Sequence, residues 1–364
     1  MPNIKRGMMG AAGVVGGAKT YVWGSNSNGV FGDGTETTTS SPVLTTELGF
    51  AKIVGGNSVF TARKTDGTIW TCGRGNFGMP GHGNDTSICL AAQVGSNTYT
   101  DIARGHEHSM GVRSDGTLWT FGNNGYGRLG DGSTTTRSSP VQVGSLTTWE
   151  KVFGGSSYCK ASAAIKTDDS LWVWGANSNG QLGDGTTANK SSPVQLAGSF
   201  LFAAMGAQHS AFIKTDGTLW TTGYAGLGQT GLGNTTQISS PLQVGSLTDW
   251  RKVYAGAHFC AALKSDDSLW TWGRNSTGYL GDGSTTNKSS PVQVAGAWSA
   301  LHARTGGCSG IKTDGKLYSW GEAEKGQLGD GSTTDKSNPV QIGSESDWGS
   351  LGGWKEGTFA IKAA

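Results

Sequence analysis

The sequence has little charge, few cysteines and no long apolar run. Charged residues make up 15% of the 364, and the formal net charge is +2. A nucleic-acid-binding domain normally carries a clustered basic face, so no nucleic-acid partner is predicted. No stretch approaches the roughly 18 consecutive apolar residues of a membrane helix, so no membrane span is predicted either. Five cysteines without regular spacing argue against a disulfide framework, and we interpret Cys260 and Cys308 as small core residues.

Glycine, in contrast, is abundant, with 62 residues, and it recurs at regular positions. A glycine that mostly follows an aromatic residue occurs seven times, and successive copies are 48 to 53 residues apart. A repeat of this length is typical of solenoids, propellers and arrays. Interior glycine costs a helix roughly 1 kcal/mol per residue, which favours β-structure. The seven glycines are Gly24, Gly73, Gly122, Gly175, Gly223, Gly273 and Gly321.

Each repeat contains four strand signals. The first begins with an aromatic residue such as Trp149, and the second ends in a lysine such as Lys214, followed by a Thr-Asp-Gly turn that is typical of a tight hairpin. The third, Leu-Trp-x-Trp-Gly, is apolar on both faces, which predicts a sheet packed between two neighbours. The fourth is Ser-Pro-Val, and a proline that opens a strand predicts an edge strand. These prolines are Pro42, Pro140, Pro193, Pro241, Pro291 and Pro339.

The predicted fold is therefore all-β: a seven-bladed β-propeller of four-stranded antiparallel blades. Residues Thr358 to Lys362 match the second strand of a repeat whose third strand is Thr20 to Gly24. We therefore predict one closure blade shared by both termini, with two inner strands from the C-terminus and two outer strands from the N-terminus. The propeller spans residues 18–364, and residues 1–17 form a separate, glycine-rich N-terminal arm.

The order of motifs resembles the regulator of chromosome condensation repeat over about residues 18–364. The matching motifs are Gly-x-x-His-Ser, Ala-Ile-Lys-Thr-Asp-Gly, Leu-Trp-x-Trp-Gly, Asn-x-x-Gly-Gln-Leu-Gly and Ser-Pro-Val. The Leu-Gly-Asp-Gly-Thr-Thr version is similar to a bacterial and viral branch of the family, which includes a secreted β-lactamase inhibitor. The best-known family member is a nucleotide exchange factor that uses an inserted β-wedge. Here the spacing from the repeat glycine to the end of the fourth strand is constant, as in Gly73 to Val94 and Gly122 to Val143, so we expect no exchange activity.

Two motifs contain residue types that commonly bind metal ions. The Leu-Gly-Asp-Gly loops supply one carboxylate each, whereas calcium takes six to eight oxygen ligands, so we expect these aspartates to accept backbone N–H groups in turns. His106-Glu107-His108 with His209 lacks a closely spaced third zinc ligand. No metal or cofactor is predicted, and no Ser-His-Asp arrangement, phosphate loop or carboxylate pair indicates an enzyme. The loop aspartates are Asp33, Asp131, Asp184, Asp282 and Asp330, with His82 and Leu232 in the other two repeats.

The loops after the first and third strands are predicted to emerge on one face of the propeller. Aromatic residues mixed with polar ones on a rigid rim are typical of interaction surfaces, although ordinary variation among loops is the alternative reading. The candidate partner-binding residues are Phe77, His106, Glu107, Tyr126, Arg128, Tyr158, Gln208, Tyr224, His258, Tyr279 and Glu322.

Residues 1–17 contain five glycines and few large side chains, so we expect them to become ordered on another protein. This start resembles the N-termini of structural proteins in tailed-phage genomes. The first hypothesis is a non-catalytic binding platform in the virion, as a tail or capsid protein. Its arm would attach to other virion or assembly proteins, and its propeller would attach to a host surface molecule. The alternative is a secreted or free bacterial binding or inhibitor propeller, although residues 1–17 make a poor signal peptide because their apolar part lacks Leu and Phe. The arm's anchoring residues are Lys5, Arg6, Met8, Met9, Val14 and Val15.

Overall fold

The computed structural model describes residues 19–45, 49–155 and 158–362. The predicted anchoring arm lies outside these residues. The described chain forms antiparallel strands in one four-stranded and three seven-stranded sheets, together with two single 3-10 turns. Each seven-stranded sheet contains two four-stranded blades that share one long strand. This confirms the predicted seven-bladed propeller. We number the blades I to VII, starting from the blade that both termini share.

Blade I is made of β24 (Trp348–Trp354), β25 (Gly357–Lys362), β1 (Lys19–Gly24) and β2 (Thr39–Leu44). Blades II and III contain β3 (Phe50–Gly55), β4 (Val59–Lys64), β5 (Thr68–Gly73), β6 (Ile88–Arg104), β7 (His108–Arg113), β8 (Leu118–Gly122) and β9 (Arg137–Gln142). Blades IV and V contain β10 (Trp149–Phe153), β11 (Ala161–Lys166), β12 (Ser170–Gly175), β13 (Lys190–Met205), β14 (His209–Lys214), β15 (Leu219–Gly223) and β16 (Ile238–Gln243). Blades VI and VII contain β17 (Trp250–Ala255), β18 (Phe259–Lys264), β19 (Ser268–Gly273), β20 (Lys288–Arg304), β21 (Gly307–Lys312), β22 (Leu317–Gly321) and β23 (Lys336–Gln341).

The closure of blade I follows the prediction. Its strand order is β2-β1-β25-β24, so the two inner strands come from the C-terminus and the two outer strands from the N-terminus. Strands β1 and β25 pair without interruption from Lys19 opposite Lys362 to Gly24 opposite Gly357. Because the ring closes through this ladder, neither terminus leaves an open sheet edge at the seam.

Three strands continue from the outer edge of one blade into the inner edge of the next. These are β6, β13 and β20, which have 17, 16 and 17 residues. Their crossover segments are short, as in Leu196 to Phe200, whereas the interrupted crossovers are longer, as in Val143 to Trp149. A short crossover leaves no room for a separate turn, so one strand runs from blade to blade and bends at a glycine with positive φ, such as Gly198 at +111°.

The prolines of the fourth strands differ from the prediction in one respect. The fourth strand is outermost, as expected, but its proline is not the first residue, since Pro140 is the fourth residue of β9. The register between β8 and β9 shifts between the pairs Thr120–Val141 and Gly122–Arg137, and the proline falls within this irregularity. A residue without an N–H is tolerated there because no ladder bond requires one.

Buried tryptophans on the third strands connect neighbouring blades. The indole N–H of Trp174 donates to the Arg128 carbonyl oxygen at 2.9 Å, and that of Trp320 donates to the Tyr279 carbonyl oxygen at 3.0 Å. Each acceptor lies in a loop of the preceding blade. The loop passes so close that a Cβ on Gly281 would lie 2.6 Å from Trp320 Nε1. Four of the five cysteines, including Cys260 and Cys308, are buried as free thiols, which confirms their interpretation as core residues.

Candidate binding face

The loops after the first and third strands are hydrogen-bonded to each other in the same way in successive blades. The amide of Asn123 donates to the Glu107 carbonyl oxygen at 2.9 Å, and the amide of Tyr224 donates to that of Gln208 at 2.8 Å. The amide of Glu322 likewise donates to Gly306 at 2.8 Å. The two sets of loops therefore share one face of the propeller, as predicted, and we call it the loop face.

Three aromatic side chains of the loop face are exposed in an unusual backbone conformation. Phe77, Tyr126 and Tyr158 are 44%, 48% and 41% exposed. Their φ angles are +61°, +73° and +79°. The left-handed region costs a residue with a Cβ roughly 1–2 kcal/mol. Strain of this kind often marks functional positions, so these aromatics are the first candidates for partner contact.

Tyr126 and Tyr158 border a cleft of about 310 Å³ that spans blades III to VI. We call it the Tyr126–Tyr158 cleft. Of the predicted residues, the structure brings four together here: Tyr126, Tyr158, Gln208 and His258. The sequence reasoning missed the remaining lining residues, which are Lys160, Ala176, Ser178, Asn179, Gln181 and Ala207.

Arg128 supports the cleft from below and does not line it. It was predicted to contact a partner, but it is only 2% exposed. Its guanidinium packs 5.6 Å from the Tyr126 ring, and its Nε donates to the Gly125 carbonyl oxygen at 2.9 Å. Glu107 accepts from Arg128 Nη1 at 3.5 Å and from Asn123 Nδ2 at 3.0 Å. This buried network holds the loop that presents Tyr126, so Arg128 is a positioning residue.

His106 fixes the other tyrosine. Its ring centroid lies 5.2 Å from that of Tyr158, and its backbone amide donates to Cys159 at 2.9 Å. Burial lowers the pKa of His106 to about 4; Arg128 and Lys160 act in the same direction, and Glu107 opposes them. The imidazole is therefore neutral at pH 7 and packs as an aromatic ring.

Lys160 supplies the free charge of the cleft. Its Nζ lies 5.1 Å from the Tyr126 ring centroid, and no carboxylate of residues 19–45, 49–155 or 158–362 forms a salt bridge with it. Burial lowers the pKa of His258, on the far side of the cleft, and Arg274 lowers it further. One cation, a neutral imidazole, amides and two phenol rings form a surface suited to a polar or anionic partner.

Lys160 and Tyr158 belong to a loop that the repeat spacing marks as unusual. The glycines Gly122 and Gly175 are 53 residues apart, against 48 to 50 elsewhere. The additional residues fall in the loop between β10 and β11, next to Tyr158. The sequence therefore contains a signal, an insertion in one repeat, that could have identified this loop as part of a distinctive site.

Tyr279 is not a surface residue, so its selection as a contact residue was wrong. It is 7% exposed and packs against Phe259, with ring centroids 5.9 Å apart. Phe77, Tyr224 and Glu322 lie on the loop face but outside the cleft. Burial raises the pKa of Glu322, and Glu324 and Asp335 add to this.

The aspartates of the glycine-rich loops accept hydrogen bonds, as expected. Asp184 Oδ1 accepts from the Thr186 amide at 3.0 Å and from Asn177 Nδ2 at 3.0 Å, and its Oδ2 lies 3.1 Å from Lys190 Nζ. Across the described part of the chain, no three His, Cys, Asp or Glu side chains are grouped as a metal site. Within that same part, no helix is long and apolar enough to cross a membrane.

Comparison with known sequences agrees with this architecture. The pattern of the regulator of chromosome condensation (RCC1) repeat matches residues 115–161, 168–213, 216–263, 266–306 and 314–348. A second RCC1 repeat pattern matches residues 99–128 and 250–278. The molecule is thus a repeat propeller, and because the matches cover more than half of it, the chain belongs to the RCC1 repeat family. Comparison with curated protein sequences gave no significant match.

Solved structures show the same fold at low sequence identity. Human WBSCR16 superposes with a TM-score of 0.85 at 16% identity, over 96% of this chain and 100% of that one. Prp20p from Saccharomyces cerevisiae, described with its binding to Gsp1p and histones, gives 0.85 at 17% identity, over 96% and 92%. Yeast RCC1 (Prp20) bound to Kap60 gives 0.83 at 16% identity, over 100% and 95%.

Proposed function

We propose that this chain is a non-catalytic binding propeller that recognises its partner through the Tyr126–Tyr158 cleft. The observation that carries the proposal is a pair of exposed tyrosines, both held at positive φ, that line one cleft together with Lys160, which forms no salt bridge with any described carboxylate. Exposed aromatic side chains supply most of the energetically dominant contacts in interfaces. Prp20p, a structure of the same fold, is described as binding protein partners, which supports a binding role.

The chain's place, in this proposal, is the virion of a tailed phage. The arm of residues 1–17 attaches to another virion or assembly protein, and the loop face meets a host surface molecule. The N-terminal sequence supports this, as does the similarity of the Leu-Gly-Asp-Gly-Thr-Thr repeats to the viral and bacterial branch. Nucleotide exchange is not part of the proposal, because the spacing between the repeat glycine and the end of the fourth strand leaves no room for a wedge.

The cleft is tested with the double variant Tyr126→Ser/Tyr158→Ser in assembled particles. We expect host adsorption to fall about tenfold or more, as for the loss of central aromatic contacts, while the melting temperature of the purified protein stays unchanged. Leu201→Ser is the matched control, since Leu201 is 41% exposed and lies outside the cleft. Equal adsorption by the double variant and the control would contradict the cleft assignment.

The arm is tested with a chain that begins at Ala18. It should melt like the full chain, because Tyr21 to Gly24 retain the closure strand, but it should fail to enter particles. Normal incorporation would contradict the anchoring role, and failure to fold would assign the arm to the propeller. Mass spectrometry of particles and culture supernatant separates the alternatives. If the full-length gene yields a protein with a cleaved N-terminus in the supernatant and no protein in particles, this would support the secreted propeller.

A further inference from the structure

Grooves of similar construction lie between neighbouring blades, away from the loop face cleft. Three are present among the described residues, between blades III and IV, IV and V, and V and VI, with volumes of about 290, 460 and 340 Å³. One wall of each groove is formed by a glycine-rich loop and the end of the outermost strand of one blade. The other wall is formed by aromatic residues and the outermost strand of the next blade. They share no lining residue with the Tyr126–Tyr158 cleft.

Every groove contains two aromatic rings from the first and third strands of one blade. Trp149 and Trp172 lie edge to face at 6.2 Å, and Trp250 and Trp270 do so at 6.4 Å. In the middle groove the pair is Phe200 and Trp220. The third-strand tryptophans are half-buried, so each groove presents part of an indole.

A lysine at the end of the second strand lies over each third-strand tryptophan. The distance from Nζ to the ring centroid is 3.8 Å for Lys166, 3.7 Å for Lys214 and 4.7 Å for Lys264. Lys214 and Lys264 line their grooves, whereas Lys166 is buried and does not line the groove between blades III and IV. Lys264 is paired with Asp249 at 3.7 Å, and Lys214 forms no salt bridge within the described residues. The carboxylates at the groove edges are paired with cations that begin the following strand: Asp131 with Arg137 at 2.9 Å and Asp184 with Lys190 at 3.1 Å.

Two of the grooves also contain a buried donor without an acceptor. The indole Nε1 atoms of Trp149 and Trp250, which line their grooves, are buried and form no hydrogen bond with any of the described residues. An unsatisfied buried donor is destabilising, and phenylalanine occupies the same position in the middle groove as Phe200. The exposed serine hydroxyls of the grooves, on Ser192, Ser240 and Ser290, also have no hydrogen-bond partner among the described residues.

We infer that the inter-blade grooves bind acidic sugar units of a polysaccharide. A hexuronate ring offers a carboxylate to the lysine where one lines the groove and to the indole N–H where the first-strand aromatic residue is tryptophan, hydroxyls to the serine, and a C–H face to the third-strand tryptophan. An inorganic anion would leave the aromatic and leucine walls without contact. A serine and a third-strand tryptophan recur in all three grooves, so the fitting ligand is a polymer with a repeated unit, and multivalent attachment strengthens weak individual sites. This inference does not depend on the proposed function of the loop face.

The first test follows the indole signals of ¹⁵N-labelled full-length protein during titration with sodium galacturonate. We expect the Nε1–H resonances of Trp149 and Trp250 to shift, with Trp149→Phe and Trp250→Phe identifying them. Immobilised polygalacturonate should bind about 100-fold more tightly than the monomer, as expected for several linked sites. Dextran, which has hydroxyls but no carboxylates, should not bind.

The second test removes the cations. Lys214→Met/Lys264→Met should weaken polygalacturonate binding about tenfold, because charge-assisted hydrogen bonds are the strong ones. Lys316→Met/Lys325→Met makes the same change of charge away from the described grooves and should have little effect. If the first double variant does not fold, Trp149→Phe/Trp250→Phe takes its place, since Phe200 shows that the fold accepts phenylalanine there. Unshifted indole signals, poly-glutamate binding as tight as polygalacturonate binding, or equal losses in variant and control would each overturn the inference.

Discussion

The indole of Trp23 donates its N–H to the carbonyl oxygen of Gln327 at 3.0 Å, between residues 304 positions apart in the chain. Trp23 belongs to β1 in blade I, and Gln327 lies in the loop between β22 and β23 of blade VII. The equivalent bond joins Trp174 to Arg128 within the array. The seam of the ring is therefore made with the same bond as an ordinary blade junction.

Deleting residues 356–364 should destroy cooperative folding. The deletion removes β25 from the middle of blade I, so β24 and β1 both lose their partner and expose unpaired edges. We expect aggregation or a broad transition in thermal unfolding. The chain that begins at Ala18 is the control and should melt sharply. A truncated protein that melts like the full chain would contradict the two-plus-two closure.

Tyr279→Ser and Tyr126→Ser should have opposite consequences. Tyr279 is packed in the core, so its replacement should cost roughly 3–5 kcal/mol, as for other large aromatic truncations. Tyr126 is exposed at positive φ, so its replacement should change the free energy of unfolding by less than about 1 kcal/mol. Chemical denaturation of both variants measures the difference. Similar losses of stability would contradict the assignment of Tyr126 to the surface.

These two tyrosines show what the sequence could and could not predict. The regular spacing of the aromatic, proline and glycine positions was sufficient to predict the number of blades and the blade shared by both termini, because each repeat must bury the same face. Tyr279 occupies the same position of the repeat as Arg128 and Gln181, which are also buried. Because both of these are polar, the sequence alone did not mark the position as part of the core. The convergence of Tyr126, Lys160 and His258 could not be predicted in the same way, because it depends on which blades lie side by side and how one inserted loop folds.

Stability should fall between about pH 6.5 and pH 4 because desolvated histidines stay neutral in the folded state. Burial lowers the pKa of His106 to about 4 and those of His209 and His302 to about 3. In the unfolded chain a histidine pKa is about 6.5. The unfolded state therefore binds more protons as the pH falls, and each fully titrated group removes about 1.4 kcal/mol per pH unit.

Urea unfolding at several pH values between 7 and 4.5 checks this dependence. The turn aspartates, such as Asp216, have lowered pKa values because the side chain and amide of Thr218 donate to them. Their stabilising contribution is present above the unfolded aspartate pKa, about 3.9, and is lost only as the pH falls below it, which separates the two effects. His302→Gln should reduce the pH dependence of the free energy of unfolding by the contribution of about one bound proton. A free energy of unfolding that is constant over this range would contradict the prediction.

Gly281→Ala should destabilise the protein more than Gly343→Ala. Both glycines have positive φ, +71° and +67°, so both variants incur the left-handed strain of roughly 1–2 kcal/mol. A Cβ at position 281 would also lie 2.6 Å from Trp320 Nε1, whereas at position 343 it meets nothing within 4 Å. The difference between the two melting curves isolates the contact between loop and tryptophan. Equal losses of stability in the two variants would contradict the prediction, because they would show that the contact between the loop and Trp320 can adjust to a Cβ at position 281.

The shared blade also has a consequence for synthesis. Strand β1 is made roughly 340 residues before its partner β25, which at 5–20 residues per second is about 20 to 70 s. During this interval the nascent chain can build the intervening blades, but β1 and β2 have no inner neighbour. The ring can be joined only after β25 has been made, so a chain that terminates before β25 never yields a closed molecule.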